Sequence, residues 1–131
     1  MIISSKGRYA LRLCLALSQN WREYRSVNAL CAKEDISQKY AETLIAALVR
    51  AGVLEGARGK CGGYRLTRPP EEITAAEVIA ATEPSLAAVG CLKSETPCPR
   101  SDTCKTLPLW RALDETVNEF LSRYSLGDLM R

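Results

Sequence analysis

Three of the six cysteines, Cys91, Cys98 and Cys104, fall in one short stretch with six and then five residues between them. Thiolates held close together repel unless a cation binds them, so such a group suits a soft metal. Tetrahedral zinc sites use at least one tight pair of ligands, and this stretch has none. An iron–sulfur cluster accepts wider spacing, because its ligands attach to different corners of a larger object. Three readings therefore stand for the trio: cluster ligands, a thiol redox switch, or unligated surface thiols. Cys14 and Cys31 lie on apolar helical faces and read as buried structural thiols. Cys61 sits among cations, which leaves it either a small spacer or a thiol activated by its neighbours.

Residues 85–105, which carry the trio, show neither helical nor strand periodicity and read as a loop that needs something to order it. On its N-terminal side, Ser5 to Gln19 has a broad apolar face (Ala10, Leu11, Leu13, Cys14, Leu17) and reads as a core helix. A polar loop follows over 20–26. Val27 to Lys33 forms a short helix that Asp35-Ile36 breaks, and Ser37 caps a second helix running to Arg50 and stopping at Gly52. Two short helices joined by so tight a turn make a helix-turn-helix, whose second helix enters the major groove in DNA-binding members. Tyr40, Ala41, Leu44, Ile45 and Leu48 recur at inward spacing; Gln38, Lys39, Glu42, Thr43, Ala46 and Arg50 are left outside. A polar face with one small residue suits base edges, although a merely solvated face has the same pattern.

Residues 53–57 and 63–67 read as strands around the glycine-rich tip 58–62, a β-hairpin wing. Arg58 and Lys60 sit at the tip, and Arg65 and Arg68 on the return, where they could reach phosphates or a minor groove. Pro69-Pro70 ends the wing. Thr74 to Glu77 has the pattern of a capping box opening a helix to about Thr82, which Glu83-Pro84 closes. About Thr106 to Tyr124 is a helix of roughly 28 Å. Its Trp110, Leu113, Val117, Phe120 and Tyr124 form a seam for the same helix of a second chain.

A chain of 131 residues with 47% hydrophobic content fits one compact body. No membrane partner is expected, since no apolar run is long enough to span a bilayer; without an export signal a cytoplasmic location is expected. The net charge of +3 is split: residues 1–70 carry 12 Lys/Arg against 5 Asp/Glu, and residues 71–131 carry 6 against 10. The basic half has the charge of a polyanion-binding surface. An enzyme is disfavoured, because the chain has no histidine and no phosphate-binding loop or nucleophile motif.

The residues Ser5-Lys6-Gly7-Arg8-Tyr9-Ala10-Leu11-Arg12, Ile36-Ser37-Gln38-Lys39-Tyr40, Arg58-Gly59-Lys60-Cys61-Gly62-Gly63-Tyr64-Arg65-Leu66 and Ser125-Leu126-Gly127-Asp128-Leu129 resemble the bacterial IscR/NsrR/RirA family of winged-helix regulators over nearly the whole chain. The most specific parts are the Gly-Gly-Tyr-Arg-Leu wing and the cysteine loop followed by Leu109-Trp110-Arg111. The resemblance implies a mainly α fold with a small β-hairpin wing: a winged helix-turn-helix (1–83), a cysteine loop (84–105), and a long C-terminal dimerisation helix with its tail (106–131). It implies a homodimeric, DNA-binding transcription regulator, such as a repressor, acting on a double-stranded operator. It also implies that Cys91, Cys98 and Cys104 ligate a [2Fe–2S] or [4Fe–4S] cluster. The alternative is a regulator of the same fold without a cluster, sensing thiol oxidation or a partner from sulfur metabolism.

Ser37, Gln38, Lys39, Tyr40, Glu42 and Thr43, with Arg58 and Lys60 in the wing, form the expected DNA-contact set. Lys39, Glu42, Thr43 and Arg58 in particular match the family's contact positions. The fourth cluster ligand departs from pattern: the position of the family's histidine is Leu107, and that of an acidic ligand in the first helix is Arg8. The fourth position is thus left to water, a small thiol or an unassigned carboxylate.

Overall fold

The computed structural model describes residues 3–83, 86–87, 89–93 and 98–131; the expected helix stop at Pro84 and the loop's Ser85, Ala88 and 94–97 lie outside them. The chain runs α1 (Ser5–Ser18), α2 (Val27–Glu34), α3 (Gln38–Arg50), β1 (Leu54–Ala57), β2 (Gly63–Leu66), a 3₁₀ turn (Pro70–Glu72), α4 (Ala75–Thr82), α5 (Gly90–Lys93), α6 (Leu107–Ser122) and α7 (Leu126–Leu129). Helix α1 is the centre of the body. Its Ala10, Leu13, Cys14 and Leu17 are fully buried, the helical spacing that puts them on one stripe. Against that stripe pack Leu30 of α2, Leu44 and Leu48 of α3, Leu54 and Leu66 of the hairpin, Val78 of α4 and Leu126 of α7. Each buried Leu or Val contributes about 1.5–3 kcal/mol relative to exposure.

The turn between α2 and α3 follows from three residues. Asp35 takes the left-handed conformation (φ 53°), and its N–H donates to the Cys31 carbonyl, a conformation short polar residues tolerate. Ser37 then caps α3, its hydroxyl accepting from the Tyr40 N–H at 3.3 Å. Gly52 ends the turn after α3 with φ 80°, as the sequence suggests.

The wing is an antiparallel pair in which Leu54 opposes Leu66 and Ala57 opposes Gly63. It is anchored from its other edge: the Arg25 N–H donates to the Tyr64 carbonyl and the Tyr64 N–H to the Arg25 carbonyl, both at 2.9 Å. That contact requires Gly63. Its φ is 138°, and a Cβ there would lie 2.2 Å from the Arg25 carbonyl oxygen.

Three sequence expectations are corrected, and one, the prolines that end the wing, is extended. The capping box at Thr74 is half made: the hydroxyl accepts from the Glu77 N–H, but the Glu77 carboxylate pairs with Arg68 instead of returning to Thr74. The prolines after the wing start a 3₁₀ turn over Pro70–Glu72, because a proline's missing N–H costs nothing at a helix start. The cysteine loop holds one turn of helix, α5, too short for periodicity to reveal. Helix α6 ends at Ser122, so it is about 24 Å long and Tyr124 lies beyond it. The chain then folds back. The Ala75 N–H donates to the Tyr124 carbonyl and the Leu126 N–H to the Ile73 carbonyl, both at 2.8 Å. Ser125 and Asp128 form the capping box of α7, which seats Leu126 in the core.

Because Gly63 combines a left-handed backbone with a blocked Cβ position, Gly63→Ala should cost about 1–3 kcal/mol or more in urea unfolding. Gly59→Ala, at φ 105° but with open space around it, should cost less. Equal losses would show that the wing's anchorage on Arg25 contributes nothing.

Candidate nucleic-acid interface and metal centre

The core positions of α3 leave one side of the helix to solvent. Ala41, Leu44, Ile45 and Leu48 are buried, whereas Gln38, Lys39, Glu42, Thr43, Ala46 and Arg50 are exposed, as their spacing predicts. Within that face Gln38 donates to Glu42 at 3.2 Å, and the Thr43 hydroxyl donates to the Lys39 carbonyl at 3.1 Å. Ser37 is exposed beside them while serving as the α3 cap. Tyr40 is different. It is half-buried, its hydroxyl lies 3.1 Å from that of Ser5, and its ring meets Tyr9 edge-on at 5.8 Å. The inward placement by spacing describes it better than its place in the contact set.

The four wing cations separate into two kinds. Arg58 and Lys60 are exposed at the tip. Arg65 is bound on the wing's flank: it pairs with Glu55 at 2.6 Å, donates to the Arg22 carbonyl at 3.0 Å and covers the Tyr24 ring at 4.3 Å. Arg68 pairs with Glu77 and donates to the Glu72 carbonyl. Both were expected to face a nucleic acid, and both have structural partners instead. Sequence alone does not separate them, since Glu55 becomes the partner of Arg65 only through the cross-strand register.

All six cysteines are free thiols. Burial pushes the Cys14 thiol up to about 12, so it is inert, in line with its apolar position. Cys61 is exposed at the wing tip. Of the trio, Cys91 is exposed on α5, and Cys98 and Cys104 are half-buried on the approach to α6. The Cys104 sulfur lies 3.3 Å from the Thr106 hydroxyl. Hydrogen bonds from that hydroxyl, then from the Thr106 and Leu107 amides, hold its thiol below the ordinary range. Among the described residues, no three Cys, Asp or Glu side chains converge into a coordination sphere. The donors fit a thiolate-bound cluster in kind: three thiols outside any disulfide on the connector, the cysteine loop between α4 and α6, one of them biased towards thiolate. Leu107, at the family's histidine position, is buried, and Arg8 is exposed.

The α6 seam is open. Leu113 is 39%, Phe120 51% and Tyr124 43% exposed, the last two with rings 5.4 Å apart. Trp110 and Val117 are half-buried. One residue carries more of the site's architecture than sequence reasoning assigned it. Glu83, read only as a helix stop, accepts hydrogen bonds at a single oxygen, Oε1, from the Ser4 N–H (2.9 Å), the Ser4 hydroxyl (2.7 Å) and the Gly7 N–H (3.1 Å). No local sequence signal marks it, because its partners lie nearly eighty positions away.

The family model Rrf2, described as an iron-dependent transcriptional regulator, matches residues 3–131. The HTH-type transcriptional regulator IscR of Aliivibrio salmonicida is 37% identical over 131 residues, covering 99% of this chain and 77% of its own. Among solved structures, CymR, the global cysteine regulator of B. subtilis, is 31% identical with a TM-score of 0.77, covering 99% of this chain and 96% of its own. The T. potens IscR structure is 26% identical with a TM-score of 0.77, covering 99% and 86%. The helix-turn-helix with its two-stranded wing is the fold of these regulators, none of which is named as an enzyme; the chain belongs to the Rrf2 family of DNA-binding transcription regulators.

Proposed function

We propose that the protein is a cytoplasmic homodimer that binds a double-stranded DNA operator through α3 and the wing. An iron–sulfur cluster, [2Fe–2S] or [4Fe–4S], on Cys91, Cys98 and Cys104 controls that binding. The observation that carries the DNA reading is the contrast among the cations. Arg12, Arg65 and Arg68 pair with carboxylates, whereas Lys39, Arg58 and Lys60 are exposed and no ion pair is recorded for them among the described residues. Cations on a reading helix and a wing tip answer to phosphates and base edges, which this chain does not supply. The carboxylate of Glu42, the hydroxyl of Thr43 and the amide of Gln38 stand among them as base-edge donors and acceptors.

The dimer reading rests on the α6 seam, whose Leu113, Phe120 and Tyr124 leave more contiguous apolar area in water than a lone surface residue does. The same helix of a second copy is its natural cover, and pairing two reading heads suits a two-fold operator. The cluster reading rests on the donor chemistry of the connector. A bound cluster would supply iron sites that respond to iron supply, redox state or nitric oxide. With Leu107 buried and no histidine in the chain, the fourth ligand is exchangeable or a carboxylate.

Three experiments follow. Lys39→Ala should lower operator affinity by about 1–3 kcal/mol and relax specificity, if it reads a base edge, while Arg58→Ala weakens all sequences alike and flattens the salt dependence. Wild-type affinity in both variants would remove this docking mode. Leu113→Asp with Val117→Asp should give monomers in sedimentation; a dimer that survives both places the interface elsewhere. Anaerobically purified Cys91→Ala, Cys98→Ala and Cys104→Ala should each lose most iron and sulfide, while Cys14→Ala and Cys31→Ala keep them. Undiminished iron and sulfide in all three connector variants would make the cluster-free regulator the correct reading.

A further inference from the structure

We propose that Glu83 is a positioning residue that couples the cysteine connector to the reading helix. The inference rests on the reading above, in which the connector binds a cluster. Helix α1 begins with amide groups that have no partner within the helix. Ser4 accepts from the Lys6 N–H at 3.2 Å, and Glu83 Oε1 takes the Ser4 and Gly7 donors. A carboxylate there also meets the positive end of the helix dipole. Gly7 makes room for it: a Cβ at that position would lie 2.8 Å from Oε1.

The fastened end of α1 is also the end that touches α3. Ser5 and Tyr9, on the first turns of α1, hold Tyr40 on the first turn of α3 by the 3.1 Å hydroxyl contact and the edge-on ring contact. On its other side Glu83 is the C-cap of α4, and the connector begins at the next residue. A cavity of about 330 Å³ beside it is lined by Glu83, by Leu92 next to Cys91, and by Asp114 and Val117 of α6. Glu83 thus borders the same space as the cysteine-bearing turn and the α6 helix. A shift of the connector pulls on the residue whose side chain holds α1, and α1 sets where the start of α3 lies. The route runs from the connector to Glu83 through the chain and the shared cavity, and from Glu83 to the start of α3 through direct contacts, and a mutational cycle can test it.

Hydrogen exchange on cluster-free protein tests the route itself. Glu83→Ala should speed exchange at the Gly7 amide and at the amides opening α3 by about tenfold or more, with Glu83→Gln falling between it and wild type. Gly7→Ala should do the same, because its methyl displaces the carboxylate while favouring the helix, so the test does not depend on Glu83→Ala folding. Ser5→Ala should affect α3 alone.

Operator affinity with and without the cluster tests the coupling. A wild-type ratio in the usual range of about 5–150-fold should fall to within about twofold of one in Glu83→Ala. Iron and sulfide contents should be unchanged, and Glu83→Gln should restore part of the ratio. A wild-type ratio in Glu83→Ala, or faster exchange at Gly7 with none in α3, overturns the inference. Colourless wild-type protein, or a wild-type ratio of one, instead overturns the cluster reading and takes the inference down with it, an outcome recognisable because the exchange pattern would still be as described.

Discussion

The rest of the molecule depends on the burial of one helix. The stripe of Ala10, Leu13, Cys14 and Leu17 on α1 is buried by all its neighbours, and these include the two elements proposed to contact nucleic acid, α3 and the wing, and α4, which leads into the connector. Because interiors are close-packed, a small movement of such a central helix cannot be absorbed locally and must be passed to its neighbours. Helix α3, the wing and α4 therefore share a single reference frame. Their relative placement is set by how well side chains fill the space around α1, not by the short turns between them.

Charge is arranged with a corresponding economy. Surface ion pairs of this exposure contribute little to stability, yet they decide which cations stay available. Glu55 and Glu77 occupy Arg65 and Arg68, fixing the base of the wing and leaving its tip to interact outward. The thiols are sorted in the same way, with Cys14 withdrawn by burial and the connector thiols left free.

Much of this was legible in the sequence because it depends on local rules. Helix periodicity, the serine cap before α3, the left-handed Gly52 and the glycine-rich wing all follow from a few neighbouring residues, and the structure agrees with each. What the sequence did not disclose depends on distant pairing. The partners of Arg65 and Arg68, the half-made cap at Thr74, the Ser5 partner of the Tyr40 hydroxyl and the three donors gathered by Glu83 each need the tertiary fold. For the connector, the cysteine spacing indicates a donor set, but a turn as short as α5 has no periodicity to read.

The return of the chain after α6 bears on how the molecule is made. The bridge between Thr74 and Ser125 closes a loop of about fifty residues, whose entropic cost grows only slowly with length but must be met before its contacts form. Leu126, which that bridge seats in the core, follows α6 in chain order. The core around α1 is therefore incomplete until α6 has been synthesised. During synthesis from the N-terminus, the helix-turn-helix, the wing and α6 thus reach their final packing together.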